Sequence, residues 1–247
     1  MSISRQPILR GVSFEARAGG WFGLLGANGS GKTTLLRALN GRLEIDGGMV
    51  RLGGRDVGAE ALATRIGFAP PPDSLPGELY GRELLDLLAV ARRADPRAPA
   101  AIYAALDIGW LETEPIGAMS AGMRQRLCLF TAFIGAPRVV LLDEPFNWLD
   151  PVAGHDFKTA LRAWTDAGGA LVTALHDIAA FATRCDRGLL LHDGQVLKTF
   201  ESAEMTQGRN DVLAFEQRVY EAFKAALAEN FQINHASVPP RHGEGRL

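Results

Sequence analysis

Cysteine is scarce in this 247-residue chain: Cys128 and Cys185 are the only two, far apart and in no metal-ligand spacing. A disulfide framework and a cysteine-based zinc centre are therefore excluded as organising features. Each thiol is expected to be reduced and to serve as a small buried hydrophobe. A dominant charge sign is lacking too. Twenty-six Lys and Arg against 28 Asp and Glu leave a net charge of -2 and a pI near 6.2, which gives the whole molecule no footprint for nucleic acid. Long apolar runs are missing: the segment LLDLLAVA is short and interrupted by Asp86, and nothing approaches the roughly 18 apolar residues of a membrane span. The opening MSISRQPILRG lacks the apolar centre of a secretory leader, so the expectation is a cytoplasmic chain that crosses no membrane by itself. Internal repeats and low-complexity tracts are also absent. What is there, 47% hydrophobic and 22% charged residues, is ordinary globular composition. The length suffices for one large α/β domain or a core with a subdomain.

The densest chemistry lies in LLGANGSGKTTLLRAL, residues 24–39. An apolar run meets a loop holding Gly26, Gly29 and Gly31, and an amphipathic run led by Lys32, Thr33 and Thr34 follows. This reads as strand, phosphate loop and helix. Glycines permit positive φ and close backbone approach, so successive N–H groups can turn inward around phosphate oxygens. Lys32 adds a point charge, and Thr33 at the helix start offers a hydroxyl to Mg²⁺. Gly26-x-x-x-x-Gly31-Lys32-Thr33 satisfies the Walker A pattern in the strand-to-helix context it requires.

Around this stretch, ILRGVSFEA (8–16) alternates apolar and polar residues, and the turn ARAGG separates it from WFGLLG, predicting two strands joined tightly. Leu35, Leu36, Leu39 and Leu43 recur at helical spacing and should pack on the sheet, with Gly41 weakening the helix near its end. IDGGMVRLGGRDV predicts a hairpin, and RIGFA (65–69) a short strand. PPPDSLPGEL (70–79) then breaks regular structure with four prolines. Helical patterns without strand signals follow, so residues 72 to about 135 read as an inserted helical subdomain. VVLLDEP (139–145) has the continuous apolar run of a central parallel strand, GALVTALHD (169–177) is the next, and RGLLLHDGQVLKTF a terminal hairpin. Residues 211–231 place Leu213, Val219, Phe223 and Leu227 near helical spacing, predicting a peripheral amphipathic helix before an aperiodic, loose tail.

Asp143 and Glu144 close the apolar strand 139–143, where ligand sites of open α/β sheets lie. Asp143 can hold Mg²⁺ through its hydration shell, and Glu144 can accept the proton of an attacking water. With the phosphate loop upstream, this order of motifs resembles the ATP-binding cassette (ABC) ATPases over roughly residues 8–200. Between the two elements MSAGMRQR (119–126) is similar to the family signature, usually LSGGQ; Ser120 can cap the helix that follows. FNWLD (146–150) is similar to the family D-loop, and His176 falls where the family places its switch histidine. The resemblance implies ATP and Mg²⁺ as ligands, with Gly26, Asn28, Gly29, Ser30, Gly31, Lys32, Thr33 and Thr34 around the nucleotide, and Thr33 and Asp143 at the metal. It implies Glu144 and His176 in catalysis. It also implies that Ser120, Ala121, Gly122 and Met123 face the ATP of a second nucleotide-binding subunit, with Asp150 working across that interface.

Two departures stand against the family pattern. A Gln normally follows the strand matching RIGFA and contacts Mg²⁺ and the attacking water; here Pro70 or Pro71 stands there, with Asp73 nearby as a substitute carboxylate. Members serving separate export subunits often lack that Gln, which leans toward export. An aromatic residue normally stacks on adenine from a position corresponding to about Ile3, and no aromatic precedes Phe14. Losing such a stack, worth about 1–3 kcal/mol, weakens nucleotide binding about 5- to 150-fold. Ala121 replaces the first signature Gly, a change that costs more if that backbone requires φ > 0.

The expected fold is α/β: a RecA-like P-loop core with an antiparallel β subdomain and the inserted helical subdomain. Residues 1–205 would form the cassette, and 206–247 a C-terminal amphipathic helix and tail. The expected role is an ATP-hydrolysing subunit that dimerises on ATP, as a homo- or heterodimer, and drives a separate transmembrane permease, peripheral on the inner face of the cell membrane, with no nucleic-acid partner. A soluble ABC ATPase of a cofactor-assembly complex is the alternative. Repair and translation members carry long coiled-coil insertions or two cassettes, which this chain lacks. A non-hydrolysing module is disfavoured by Glu144.

Overall fold

In the computed structural model, which describes residues 8–236 and side-chain surroundings for residues 8–225, six strands form one sheet in the order β4-β5-β6-β1-β7-β8. These are β1 (Trp21–Leu25), β4 (Ile66–Phe68), β5 (Val139–Asp143), β6 (Ala170–Leu175), β7 (Arg187–His192) and β8 (Gln195–Phe200). The first five run parallel, and β8 returns antiparallel to β7. A separate antiparallel pair, β2 (Arg51–Leu52) and β3 (Arg55–Asp56), turns through Gly53 and Gly54, which matches the predicted hairpin.

Parallel strands covered on both faces need apolar residues in both directions. In β1, Trp21 and Leu25 join the larger cluster, while Phe22 and Leu24 face the smaller one on the other side. The smaller layer contains α1 (Lys32–Leu39) and α2 (Ala59–Arg65). The larger one contains the inserted helices α3 (Gly81–Arg92), α4 (Ala100–Ala105), α5 (Ile108–Leu111) and α6 (Ala121–Thr131). It also contains α7 (Pro151–Asp166), α8 (Ile178–Arg184), α9 (Ser202–Asn210) and the first part of α10 (Val212–Ala236). Polar ties add to the packing: the buried Trp21 indole donates to Thr173 Oγ1 of the neighbouring strand β6 at 2.9 Å. Asp186 accepts from Trp21 N at 2.9 Å, Arg162 at 2.8 Å and Arg209 at 3.2 Å, which joins β1, α7 and α9.

Three local expectations need correction. Residues 8–20 form no strand; Val12, Phe14 and Ala16 nevertheless pack inward, so the alternation reports burial without a ladder. Gly41 does not weaken α1 from within. It lies beyond Asn40 at φ 71°, where the Arg42 amide reaches back to the Arg37 carbonyl at 2.9 Å and closes the helix. Leu43 is therefore outside the helix and 42% exposed. Among the described residues of α10, Phe215 and Val219 are buried and Phe223 packs partly buried against the core, whereas Leu213 is 79% exposed. The Leu227 side chain, the tail 237–247 and Ile3 lie outside what is described.

The topology positions the chemistry. Because β4, β5, β6 and β1 are parallel neighbours, the segments following all four emerge at one edge of the sheet. Those segments are the proline run, Glu144, His176 and the glycine loop.

Candidate active site

The glycine loop leaves β1 at Gly26, where a Cβ would meet the Leu191 carbonyl oxygen at 2.5 Å and Ser30 Oγ at 2.6 Å, so packing alone demands glycine. Gly31 enters α1 at φ 105°, a conformation that L side chains rarely adopt, and it leaves the N-terminal amides of α1 open toward the loop. Lys32 is only 6% exposed. Its ammonium donates to the carbonyls of Gly26 at 2.7 Å and Ala27 at 3.2 Å, and lies 3.4 Å from Glu144 Oε1.

The carboxylates approach from β5. Thr33 Oγ1 donates to Asp143 Oδ2 at 2.6 Å, although 110 residues separate them, and Asp143 Oδ1 is buried without a hydrogen-bond partner. A hydroxyl and a carboxylate meeting beside an unsatisfied oxygen suit a hard divalent cation. Among the described residues no three His, Cys, Asp or Glu gather as a metal cluster, so such a cation would take its other oxygens from phosphate and water. Glu144 sits at φ 47°, its amide bonded to Ala174 O at 3.1 Å. Its Oε2 meets His176 Nδ1 at 2.6 Å while Oε1 faces Lys32. One carboxylate thus links the ends of β1, β5 and β6.

These groups border a cleft of about 470 Å³. Asn28, Gly29, Gly31, Lys32, Thr33, Thr34, Asp143 and Glu144 line it, as do Ile8, Pro70, Pro71 and Pro72. Asp73 does not; it is exposed on a short turn beyond the wall. Phe14 does not line the cleft; it stacks on Phe22 at 4.7 Å between ring centroids. Sequence reasoning passed over Gln125, Asn147 and Trp148 as cleft residues. The i, i+3 spacing of Gln125 and Cys128 puts both on one face of α6, but which face borders the cleft is set by the docking of the helix. Burial pushes the Cys128 thiol up to about 12.

The signature-like segment is elsewhere. Ser120, Ala121, Gly122 and Met123 are not in the wall of this chain's own cleft. Ser120 caps α6, its Oγ accepting from the Met123 amide at 3.3 Å, and Met123 Sδ lies 3.4 Å from the Ser120 amide. Ala121 has ordinary helical backbone, so its methyl brings no φ strain. Gly122 has little choice: a Cβ there would lie 2.8 Å from the Trp148 carbonyl oxygen. Asp150 caps α7, accepting from Ala153 N at 2.9 Å and Val152 N at 3.0 Å, and pairs with Arg126 at 3.1 Å. The Ala153 bond leads in holding its carboxyl below the usual range. The residue pairs Gly122–Trp148 and Arg126–Asp150 tie the start of α6 to the segment after β5.

A family profile described as ABC transporter matches residues 9–147. The chain is 36% identical over 200 residues to the hemin import ATP-binding protein HmuV of Pseudomonas entomophila, covering 76% of this chain and 78% of that protein. It is 34% identical over 196 residues to the Nod factor export ATP-binding protein I of Burkholderia lata, covering 76% of this chain and 64% of that one. Among solved structures, the ATP-binding subunit of an ABC transporter superposes with a TM-score of 0.75 at 24% identity, covering 88% of this chain and 95% of that chain. A dimeric ATP-binding cassette bound to ADP and phosphate gives 0.71 at 21% identity, with coverages of 79% and 90%. At these identities the structural likenesses carry the fold. None of the described helices is long and apolar enough to cross a membrane.

Proposed function

The chain belongs to the ABC transporter family of ATP-binding ATPases, and from that premise we propose that it powers transport by a separate membrane-spanning partner through ATP-dependent dimerisation. One observation carries this reading: Lys32, Thr33, Asp143, Glu144 and His176, from the C-terminal ends of β1, β5 and β6 and the segments that follow them, converge on one edge of the sheet. The glycine-loop amides and Lys32 bind the terminal phosphates of ATP, and Lys32 exchanges loop carbonyls for phosphate oxygens. Thr33 and Asp143 would hold Mg²⁺, which neutralises charge between the β- and γ-phosphates when bound. Glu144 accepts a proton from water as the water oxygen attacks the γ-phosphorus; the bond to the β–γ bridging oxygen breaks and ADP departs. His176 fixes the Glu144 carboxylate and lies beside the γ-phosphate. Asn28, Ser30 and Thr34 complete the nucleotide cradle.

Because Ser120 through Met123 lie outside the chain's own cleft, they are assigned to the nucleotide of a second subunit, with Asp150 at that interface. The permease is assigned to α3 and the residues leading into it, where Tyr80, Leu87 and Val90 are exposed apolar surface and Glu78 and Arg82 are exposed charges. Such a subunit would sit on the inner face of the cell membrane. Residues 1–205 are proposed as the cassette, with residues 72–135 as its helical part and 206–247 as an extension; α9 spans the junction, and Phe215 and Val219 tie the extension to the shared core. The test is ATPase activity of the purified chain, alone and in lipid with its co-purifying membrane partner. No hydrolysis in either setting overturns the proposal.

A further inference from the structure

The wall of the cleft after β4 is chemically poor. Pro70, Pro71 and Pro72 line it in succession, and a proline has neither an amide side chain nor a backbone N–H. The turn Pro72–Ser74 rests on α6, and that helix supplies what the prolines cannot. Gln125 and Cys128, three residues apart on one face of α6, both reach the cleft. Gln125 is 7% exposed, and its carboxamide makes no hydrogen bond to any described residue. Neither polar atom of that carboxamide is among the fully buried, unpaired ones, so its access to solvent runs through the cleft it lines. Here the open side is the cleft holding Asp143 and Glu144.

Resting on the hydrolytic reading above, we infer that Gln125 is a positioning residue for hydrolysis, its carboxamide taking over from α6 the contact to the attacking water and hydrated cation that the proline loop cannot make. Its oxygen accepts from the water that Glu144 deprotonates, and its N–H groups donate to phosphate oxygen. Gln125 also lies on the helix that Ser120 caps. Engagement of the signature by a second subunit's nucleotide would therefore bear on the same rigid element that places water in this chain's own site.

Three variants test it: Gln125→Leu, the near-isosteric Gln125→Glu, and Pro71→Gln combined with Gln125→Leu. Pro71 has extended backbone that glutamine adopts freely, so the second-site change is sterically mild. Gln125→Leu is expected to lower kcat about 10- to 100-fold, the scale of a misplaced reactant. ATP affinity in EDTA should stay within about twofold and the Mg²⁺ concentration for half-maximal rate should rise. Gln125→Glu, which keeps the volume if the leucine variant misfolds, should lower that Mg²⁺ concentration, and Pro71→Gln should return most of the lost rate. A Gln125→Leu protein with native rate and Mg²⁺ dependence overturns the inference. So does a loss that Pro71→Gln fails to repair, which would mark Gln125 as packing, or a Gln125→Glu protein with unchanged Mg²⁺ dependence. A native chain that hydrolyses nothing overturns the underlying reading instead, so the two failures are distinct.

Discussion

Glu144 is a β-carbon-bearing residue held at φ 47°, a conformation that costs about 1–3 kcal/mol outside glycine. The Ala174 carbonyl and the His176 and Lys32 contacts fix it there, so the strain aims the carboxylate across the ends of three strands. Replacing Glu144 with Gln keeps the shape and removes the base. ATP binding should persist while hydrolysis falls by about 10² to 10⁴, and the ATP-bound dimer should accumulate on size exclusion in Mg-ATP. Native turnover in that variant would remove Glu144 from the mechanism. Lys32→Ala acts earlier, deleting the ammonium that meets the phosphates, so titration with a fluorescent ATP analogue should show a raised Kd. Cys128 carries a pH prediction. Its folded pKa, about 12, lies above the ordinary thiol value of 9.0, so the folded state holds its proton more tightly. Its contribution to stability is fully present below about pH 9 and is lost as pH rises from there toward 12. Urea midpoints should therefore decline above pH 9, and iodoacetamide at pH 8 should label Cys128 in urea but not in the native protein.

At the scale of elements, legibility followed the physical source of each pattern. The strands β5 and β6 and the glycine loop were readable because burial on both faces and the need for inward-turned amides leave local marks in sequence. Residues 8–16 misled because alternation records which side chains are buried, whereas a strand also requires a paired backbone, supplied from elsewhere in the chain. The contacts Gly122–Trp148 and Gln125 to the cleft depend on how α6 docks, which no local period encodes. The proline run was readable as a break, and the helix after it gives an element-scale prediction. Glu78 and Arg82, like the apolar Leu87 and Val90, are exposed and do not line the cleft. Charge-altering substitutions at Glu78 or Arg82 should leave basal ATPase nearly intact and reduce stimulation by the membrane partner in lipid. Full stimulation of both variants would mean that docking uses another surface.

At the scale of the whole molecule, the cleft and the signature-like segment are separate features of one chain, and on the proposed reading neither closes a nucleotide site alone. If two copies pair head to tail, each site takes its phosphate loop from one chain and Ser120 from the other. That arrangement predicts complementation. A Lys32→Ala chain lacks a working phosphate loop but keeps its signature. A Ser120→Glu chain keeps its loop but presents a carboxylate to the partner's γ-phosphate, where like-charge repulsion opposes closure. Each variant alone should be nearly inactive, since both sites of either homodimer contain the defect. Mixed in equal amounts, about half of the dimers are heterodimers by random pairing. In each of these one site joins an intact Lys32 to an intact Ser120, and the other site carries both defects. Activity should rise on mixing and fall on dilution, because dimerisation is second order in protein. ATPase rates across a mixing series, followed at several total concentrations, measure this directly. A mixture no more active than its components would show that two copies of this chain do not build the site, and that the second subunit is a different polypeptide.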